Sequence, residues 1–369
     1  MAEDRSPLER EIRRLIAAAG PMPVAEYMRL CLTHPQYGYY ITRDDPLGAA
    51  GDFTTAPEVS QMFGELIGVW MAAVWRQMGA PDHVCIVELG PGRGTLMADA
   101  LRAARVIKDF YDAVVVHLIE VSPKLQLQQQ QRLQVFGLQI AWHATLGEVP
   151  GGPSIIIANE FVDALPVHQA VRQADGWHER VVNIGAGGKL AFDLAREPSR
   201  LFEATLPPAV RQAAQGAIFE WRADSFALEL GQRVRSDGAA LVIDYGHGRS
   251  GVGDTLQAVA DHSFVDPLAA PGDADLTAHV DFEALEQSAE LIGARCHGPL
   301  PQRDLLFNLG INERAARLKA RATSDQAVGI DLALARLTNS GTRGMGELFK
   351  ALAIADPRLD PLPGFAASA

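Results

Sequence analysis

The sequence predicts a doubly wound α/β fold: a mostly parallel sheet with helices on both faces, an antiparallel insertion and an N-terminal helical extension. Three observations predict it. Apolar, β-branched runs at 84–87, 113–121 and 154–161 alternate with helical periodicities, and strands that are apolar throughout belong in sheets buried on both faces. The stretch VCIVELGPGRGTLMADALR, residues 84–102, reads as strand, glycine turn and helix. Carboxylates close the first two strands, Glu88 and Glu120, one βαβ unit apart.

The elements follow in order. Residues 6–33 carry two helical patterns broken at Gly20-Pro21-Met22-Pro23, since glycine ends one helix and proline starts the next. Residues 34–64 are rich in Gly, Pro, Tyr and Thr without a sustained period, and read as a long ordered loop. An apolar helix starts at Pro57 and leads into the strand at 84. A Gln-rich amphipathic helix over 123–136 follows the second strand, and its Gln run, 128–131, reads as a solvated face. The third and fourth strands are 138–144 and 154–161. Alternating polarity with Gly-centred turns marks antiparallel hairpins over 167–195, followed by helix to about 235. A strand at 239–248 ends in Asp244-Tyr245, a polar loop runs to 275, a helix covers 281–294, and 344–356 closes the sheet. The expected organisation is N-terminal helices and active-site loop over 1–56, a core of 57–166 and 236–369, and an insertion over 167–235.

Composition bounds the function. With 48% hydrophobic and 21% charged residues, 369 residues suffice for one large core with a second lobe. A net charge of −12 gives no electrostatic case for nucleic-acid binding and suits a basic partner. Cys31, Cys85 and Cys296 lie far apart and read as reduced thiols, and His168, His247 and His279 lack ligand spacing, so no metal is expected. The most apolar window, 66–74, is too short to span a bilayer, and the acids of MAEDRSPLER disfavour a leader. A cytoplasmic protein without a membrane segment is therefore expected; its oligomeric state is not legible.

The chemistry lies in the glycine stretch. Gly90, Gly92 and Gly94 permit a tight turn and let a ligand lie against the backbone, while the helix start from Gly94 and Thr95 presents N–H groups. Glu120 is placed to accept hydrogen bonds from vicinal ribose hydroxyls. The spacing is ExGxGxG rather than GxGxxG, and Glu88 would repel a diphosphate but suit a cationic ligand. S-adenosylmethionine, with its ammonium and sulfonium, fits that charge.

ELGPGRGT, GDFTTAPEVSQMFGELIG, ANEFVDALPVHQ, VIDYGH, DLTAHVDF and MGELFK together resemble the MidA-like family of class I S-adenosylmethionine-dependent methyltransferases, over roughly residues 35–350. The resemblance implies a seven-stranded methyltransferase sheet, S-adenosylmethionine as cofactor, and dimethylation of an arginine in a subunit of respiratory complex I during its assembly. Beside it stands the reading of the residues. The fourth strand of a doubly wound sheet ends next to the first, which brings Asn159, Glu160 and Asp163 to the transferable methyl. Carboxylates there could hold a planar guanidinium bidentately, with Glu160 the first candidate and Asp163 the second. Asp163 reads equally as the cap of a helix starting at Ala164. Better-known arginine methyltransferases place two glutamates in one loop, whereas this loop has one, which leaves the catalytic assignment open. Thr54 and Thr55 are expected to bond the cofactor carboxylate, or to cap a helix at Pro57; Tyr37, Tyr40, Asp244, Tyr245 and His247 are expected to line the substrate side. Competing readings are a methyltransferase for small molecules and a non-catalytic assembly scaffold.

Overall fold

The structure is a computed structural model that describes residues 5–43, 55–341 and 344–365. Seven strands form the continuous path of the main sheet: β1 Val84–Leu89, β2 Val114–Ile119, β3 Ile140–His143, β4 Ser154–Asn159, β5 Gly238–His247, β6 Arg295–Pro301 and β7 Phe349–Ala355. Their order is β3-β2-β1-β4-β5-β7-β6. The first five are parallel, and β7 runs antiparallel to both β5 and β6. The order reverses between β1 and β4, so the carboxyl ends of these two strands border the crevice where doubly wound sheets bind ligands. The central strands are buried on both faces, as with Ile86, Val116, Ile155–Ile157 and Leu241–Ile243, which explains their lack of alternation.

The helix Gln61–Gln77 covers one face and packs along Thr95–Ala104. Ser60, in extended conformation, caps it by accepting the Met62 N–H (3.2 Å), so the helix expected from Pro57 is instead a single turn, Ala56–Val59, followed by a break. The contact between the two long helices needs missing side chains. A Cβ on Gly64 would lie 2.7 Å from the Asp99 Cβ, and one on Gly68 would lie 2.4 Å from the Ala100 carbonyl oxygen. Backbone thus meets backbone directly behind the glycine turn.

The described residues of 54–162, 224–248 and 282–369 form this sheet unit, and those of 1–53, 163–223 and 249–281 form a second compact unit. Two stretches therefore sit differently from expectation. The helix Ser225–Val234 buries Ala227, Leu230 and Val234 in the sheet unit, next to the helix Phe282–Leu291. The stretch expected as a polar loop before 275 holds three short antiparallel strands, Gln257–Ala260, Ser263–Val265 and Asp275–Thr277. Ala258, Leu268 and Leu276 join the core of the second unit with Leu8, Ile12, Tyr27 and Tyr39. The hairpins appear there as His168–Gln173, Gly176–Ile184 and Leu190–Leu194, extended by Ile218–Trp221 on one side and Met22–Pro23 on the other.

Gly68→Ala should cost about 1–3 kcal/mol, because the helix pair must part to admit a methyl against a carbonyl. Urea denaturation measures it; a variant as stable as the parent would refute the close-approach account.

Candidate active site

Glycines at 90, 92 and 94 adopt φ of 60°, 53° and 74°, left-handed values that carry the chain from β1 into Thr95–Ala104. The Gly90 N–H donates to the Ile119 carbonyl (3.0 Å) and the Gly94 N–H to that of Pro91 (2.8 Å), which pins the turn to the end of β2. Gly94 itself is the N-cap of the helix and brings no capping side chain to its first N–H groups. The Thr95 hydroxyl is engaged by neighbours: it donates to Glu58 Oε1 (2.5 Å) and accepts from Arg132 Nη1 (2.6 Å), while Arg93 approaches Glu58 Oε2 (3.4 Å). Thr55 precedes the helical turn Ala56–Val59 without a side-chain capping bond, and Thr54 lies outside the described residues.

The two strand-end acids differ in their partners. Glu88 is 3% exposed, its Oε2 has no hydrogen-bond partner among the described residues, and burial pushes its carboxyl up to about 8. Glu120 is also buried and is raised to about 7, but it accepts the Ser122 N–H (2.8 Å) and the Gln129 amide (3.1 Å), which pull against burial. Gln129 corrects the reading of its run: it is fully buried rather than solvated, in the same helix where Gln128 and Gln131 stand at other faces.

At the exit of β4, Glu160 takes φ 50°, a strained value for a residue with a Cβ. Its Oε1 accepts the Ala56 N–H (2.8 Å) and the Asn159 side-chain amide (3.3 Å). Asp244, fully buried on the neighbouring β5, accepts the N–H groups of Phe161 (3.1 Å) and Val162 (2.9 Å) through Oδ2 and that of Tyr245 (2.9 Å) through Oδ1. Asp244 is therefore an organiser of the turn. Tyr245 packs edge-on against Phe349, and His247 ends β5, half-buried. Parallel register places Glu88 beside Leu118 and Ile157, and Asn159 beside Ile243, so Glu88, Glu120, Asn159 and Glu160 share the carboxyl edge of three adjacent strands, β2, β1 and β4.

In the second unit, Asp163 does not cap a helix: it sits in a turn, with its carbonyl accepting from Ala278 N–H (3.1 Å). The Arg222 guanidinium clasps the carbonyls of Asp163 (3.1 Å), Leu165 (3.2 Å), Ala278 (2.7 Å) and His279 (2.8 Å). The Tyr40 hydroxyl donates to Asp275 Oδ1 (2.9 Å), and burial, then Asp275 and Asp163, push it well above its ordinary range. Tyr37 stacks on His34 (centroids 5.1 Å apart).

A buried carboxylate oxygen without a donor among the described residues, a helix start capped by glycine and a buried acid held by N–H groups suit a ligand with a cationic end and a diol. That is the character of S-adenosylmethionine. Residues 66–300 match the family described as "Putative S-adenosyl-L-methionine-dependent methyltransferase". The chain belongs to this family. Its similarity to the Danio rerio protein named "Protein arginine methyltransferase NDUFAF7, mitochondrial" is 41% identity over 327 residues, 81% of this chain and 75% of that one. With the Homo sapiens protein of the same name it is 39% over 341 residues, 84% and 74%. A Burkholderia thailandensis crystal structure with S-adenosyl-homocysteine bound superposes with a TM-score of 0.86 at 28% identity, covering 98% of this chain and 95% of that one. The protein is thus an S-adenosylmethionine-dependent methyltransferase with the class I fold.

The expectation of a cytoplasmic protein is overturned: the relatives are named mitochondrial. It rested on the acids of the first ten residues, which bear on a leader and not on where the folded methyltransferase works. Residues that sequence reasoning missed in this methyltransferase are Glu58, Gln129, Arg222 and Asp275. Glu58 stands in the quoted GDFTTAPE motif and Asp275 in DLTAHVDF, while Gln129 is masked by its Gln neighbours and Arg222 has no local signal.

The state of Glu88 sets a pH dependence. Its folded carboxyl is raised above an unfolded value of roughly 4.3, so its contribution to stability is complete below that value and is lost as pH rises through about 8. Glu88→Gln should flatten this decline in ligand-free protein, measured by thermal unfolding between pH 5 and 9 relative to the parent; parallel curves would show that Glu88 ionises freely.

Proposed function

We propose that the methyl acceptor is an arginine side chain of a protein, that Glu160 binds it, and that Glu88 and Glu120 with the turn at Gly90, Gly92 and Gly94 hold the cofactor. What carries the acceptor class is kinship, since the relatives named above are protein arginine methyltransferases. On the resemblance drawn from the sequence motifs, the acceptor protein is a subunit of NADH:ubiquinone oxidoreductase and the product a dimethylarginine.

The local chemistry supports this. When bound, S-adenosylmethionine supplies an electrophilic methyl on a sulfonium. Glu120 offers buried acceptor oxygens to ribose hydroxyls, and Glu88 compensates positive charge. The N–H groups of the first helical turn from Thr95, together with Thr55, suit the carboxylate end; Thr95 acts there through its backbone because its hydroxyl is held by Glu58 and Arg132. Glu160 orients one edge of a planar guanidinium, and its negative charge favours the nitrogen lone pair that attacks. Asn159 holds that carboxylate in place. Most of the acceleration then comes from positioning, with little acid or base work required. Tyr37, Tyr40, Tyr245 and His247 are assigned to acceptor binding on the resemblance of the motifs. Asp244 serves them by shaping the turn.

Glu160→Gln separates enzyme from scaffold, because glutamine keeps an oxygen for the Ala56 N–H and removes only the charge. Turnover should fall roughly 10²–10³-fold with cofactor affinity nearly unchanged. Transfer of labelled methyl to protein or to the small-molecule fraction distinguishes the acceptor class: label only in small molecules would refute the arginine reading, and an unaffected biological activity of Glu160→Gln would favour the scaffold. Glu120→Ala should weaken S-adenosyl-homocysteine binding about 10–100-fold by calorimetry.

A further inference from the structure

Gln129 holds together the two elements assigned to the cofactor. It lies in the helix Pro123–Leu133 and is wholly buried. One N–H of its side-chain amide donates to the Gly92 carbonyl (2.7 Å), inside the glycine turn, and the other to Glu120 Oε2 (3.1 Å). Its Oε1 accepts the indole N–H of Trp142 on β3 (2.8 Å). An amide can point either way, but an indole nitrogen is a donor only. Trp142 therefore decides the orientation, turning the oxygen toward β3 and both N–H groups toward the turn and the acid. The helix is close enough that a Cβ on Gly94 would stand 3.4 Å from Gln129 Cγ, so the same side chain also backs the start of Thr95–Ala104.

We propose that Gln129, oriented by Trp142, is a positioning residue that sets the Gly92 carbonyl and the Glu120 carboxylate in the register needed for the nucleoside part of the cofactor. The proposal rests on the assignment of Glu120 to cofactor binding. A charge-assisted hydrogen bond in a buried site both orients an acid and favours its ionised form. Acting on Glu120 are burial, which raises its carboxyl, and the N–H groups of Ser122, Gln129 and Val121, which lower it. The titratable and charged groups on the surrounding elements are Cys85 and Glu88 on β1, Arg93 in the glycine turn, Asp99 and Arg102 on Thr95–Ala104, His117 on β2, His143 on β3, and Lys124 and Arg132 on the helix. Removing the Gln129 amide leaves burial with less opposition, so the pH at which Glu120 ionises should rise.

The test is calorimetric binding of S-adenosyl-homocysteine to the full chain between pH 6 and 9, for the parent, Gln129→Met, Trp142→Phe and the double variant. Gln129→Met should weaken binding roughly tenfold at pH 7, and the loss should shrink toward pH 9 as Glu120 ionises. Trp142→Phe retains the glutamine and frees its orientation; it should give a smaller loss of the same pH dependence, and the double variant should bind no worse than Gln129→Met. A purely structural role predicts a loss equal at every pH, or additive losses, and either overturns the proposal, as does parental affinity in a folded Trp142→Phe. Should Gln129→Met fail to fold, Trp142→Phe decides alone by its loss and pH profile. Glu120→Ala is the control: if it binds like the parent, the assignment of Glu120 fails rather than the coupling through Gln129.

Discussion

The carboxylate of Asp244 governs how the chain leaves the sheet at its ligand edge. Three backbone N–H groups, from Phe161, Val162 and Tyr245, converge on its two oxygens in a site closed to solvent. Backbone donors buried without partners are costly, so this acid fixes the course of the segment after β4. Glu160 stands directly before the captured N–H groups, and its left-handed backbone follows from a chain made to turn at once. Its carboxylate then reaches back to the Ala56 N–H, which ties the helical turn Ala56–Val59 to the end of β4. That turn supplies Glu58, which holds Thr95 at the start of the helix after the glycines. The contacts at the edge of the sheet are thus linked in series.

Glu88 and Glu120 show how one burial can be put to two uses. Both are strand-end acids in low dielectric, yet one lacks a donor for an oxygen while the other is cradled by amides. The first is unstable as an anion until positive charge arrives; the second is already organised as an acceptor.

The alternation of strands and helices, the glycine turn and the strand-end acids were legible because each is a local pattern with a strong period or a backbone requirement. What escaped has physical reasons. β6, Arg295–Pro301, contains Gly298-Pro299, which reads as a break; at the end of the strand order, paired with β7, it tolerates an irregularity between His297 and Leu300. The strands within 257–277 are too short to show alternation among glycines and prolines. Asp244 was legible as a strand-end acid but not as a backbone anchor, since its partners are some eighty residues away in the chain. Gln129 differs from the glutamines beside it only by the side of the helix it occupies, and Arg222 collects carbonyls that no sequence pattern announces.

The composition of the second unit from three separated stretches bears on how the protein is made. Met22 and Pro23 pair with Val182 and Val181, and the Tyr27 hydroxyl donates to the carbonyl of Pro267 (2.7 Å). The helices Pro7–Ala19 and Val24–Thr33, with Leu8, Ile12, Ile16 and Tyr27 destined for burial, leave the ribosome well before partners that lie as much as two hundred residues or more downstream. Closing such long loops is slow, and apolar helices without partners invite association in the meantime. Within this unit, the helices made before their partners are thereby the stretch left unpaired longest during synthesis.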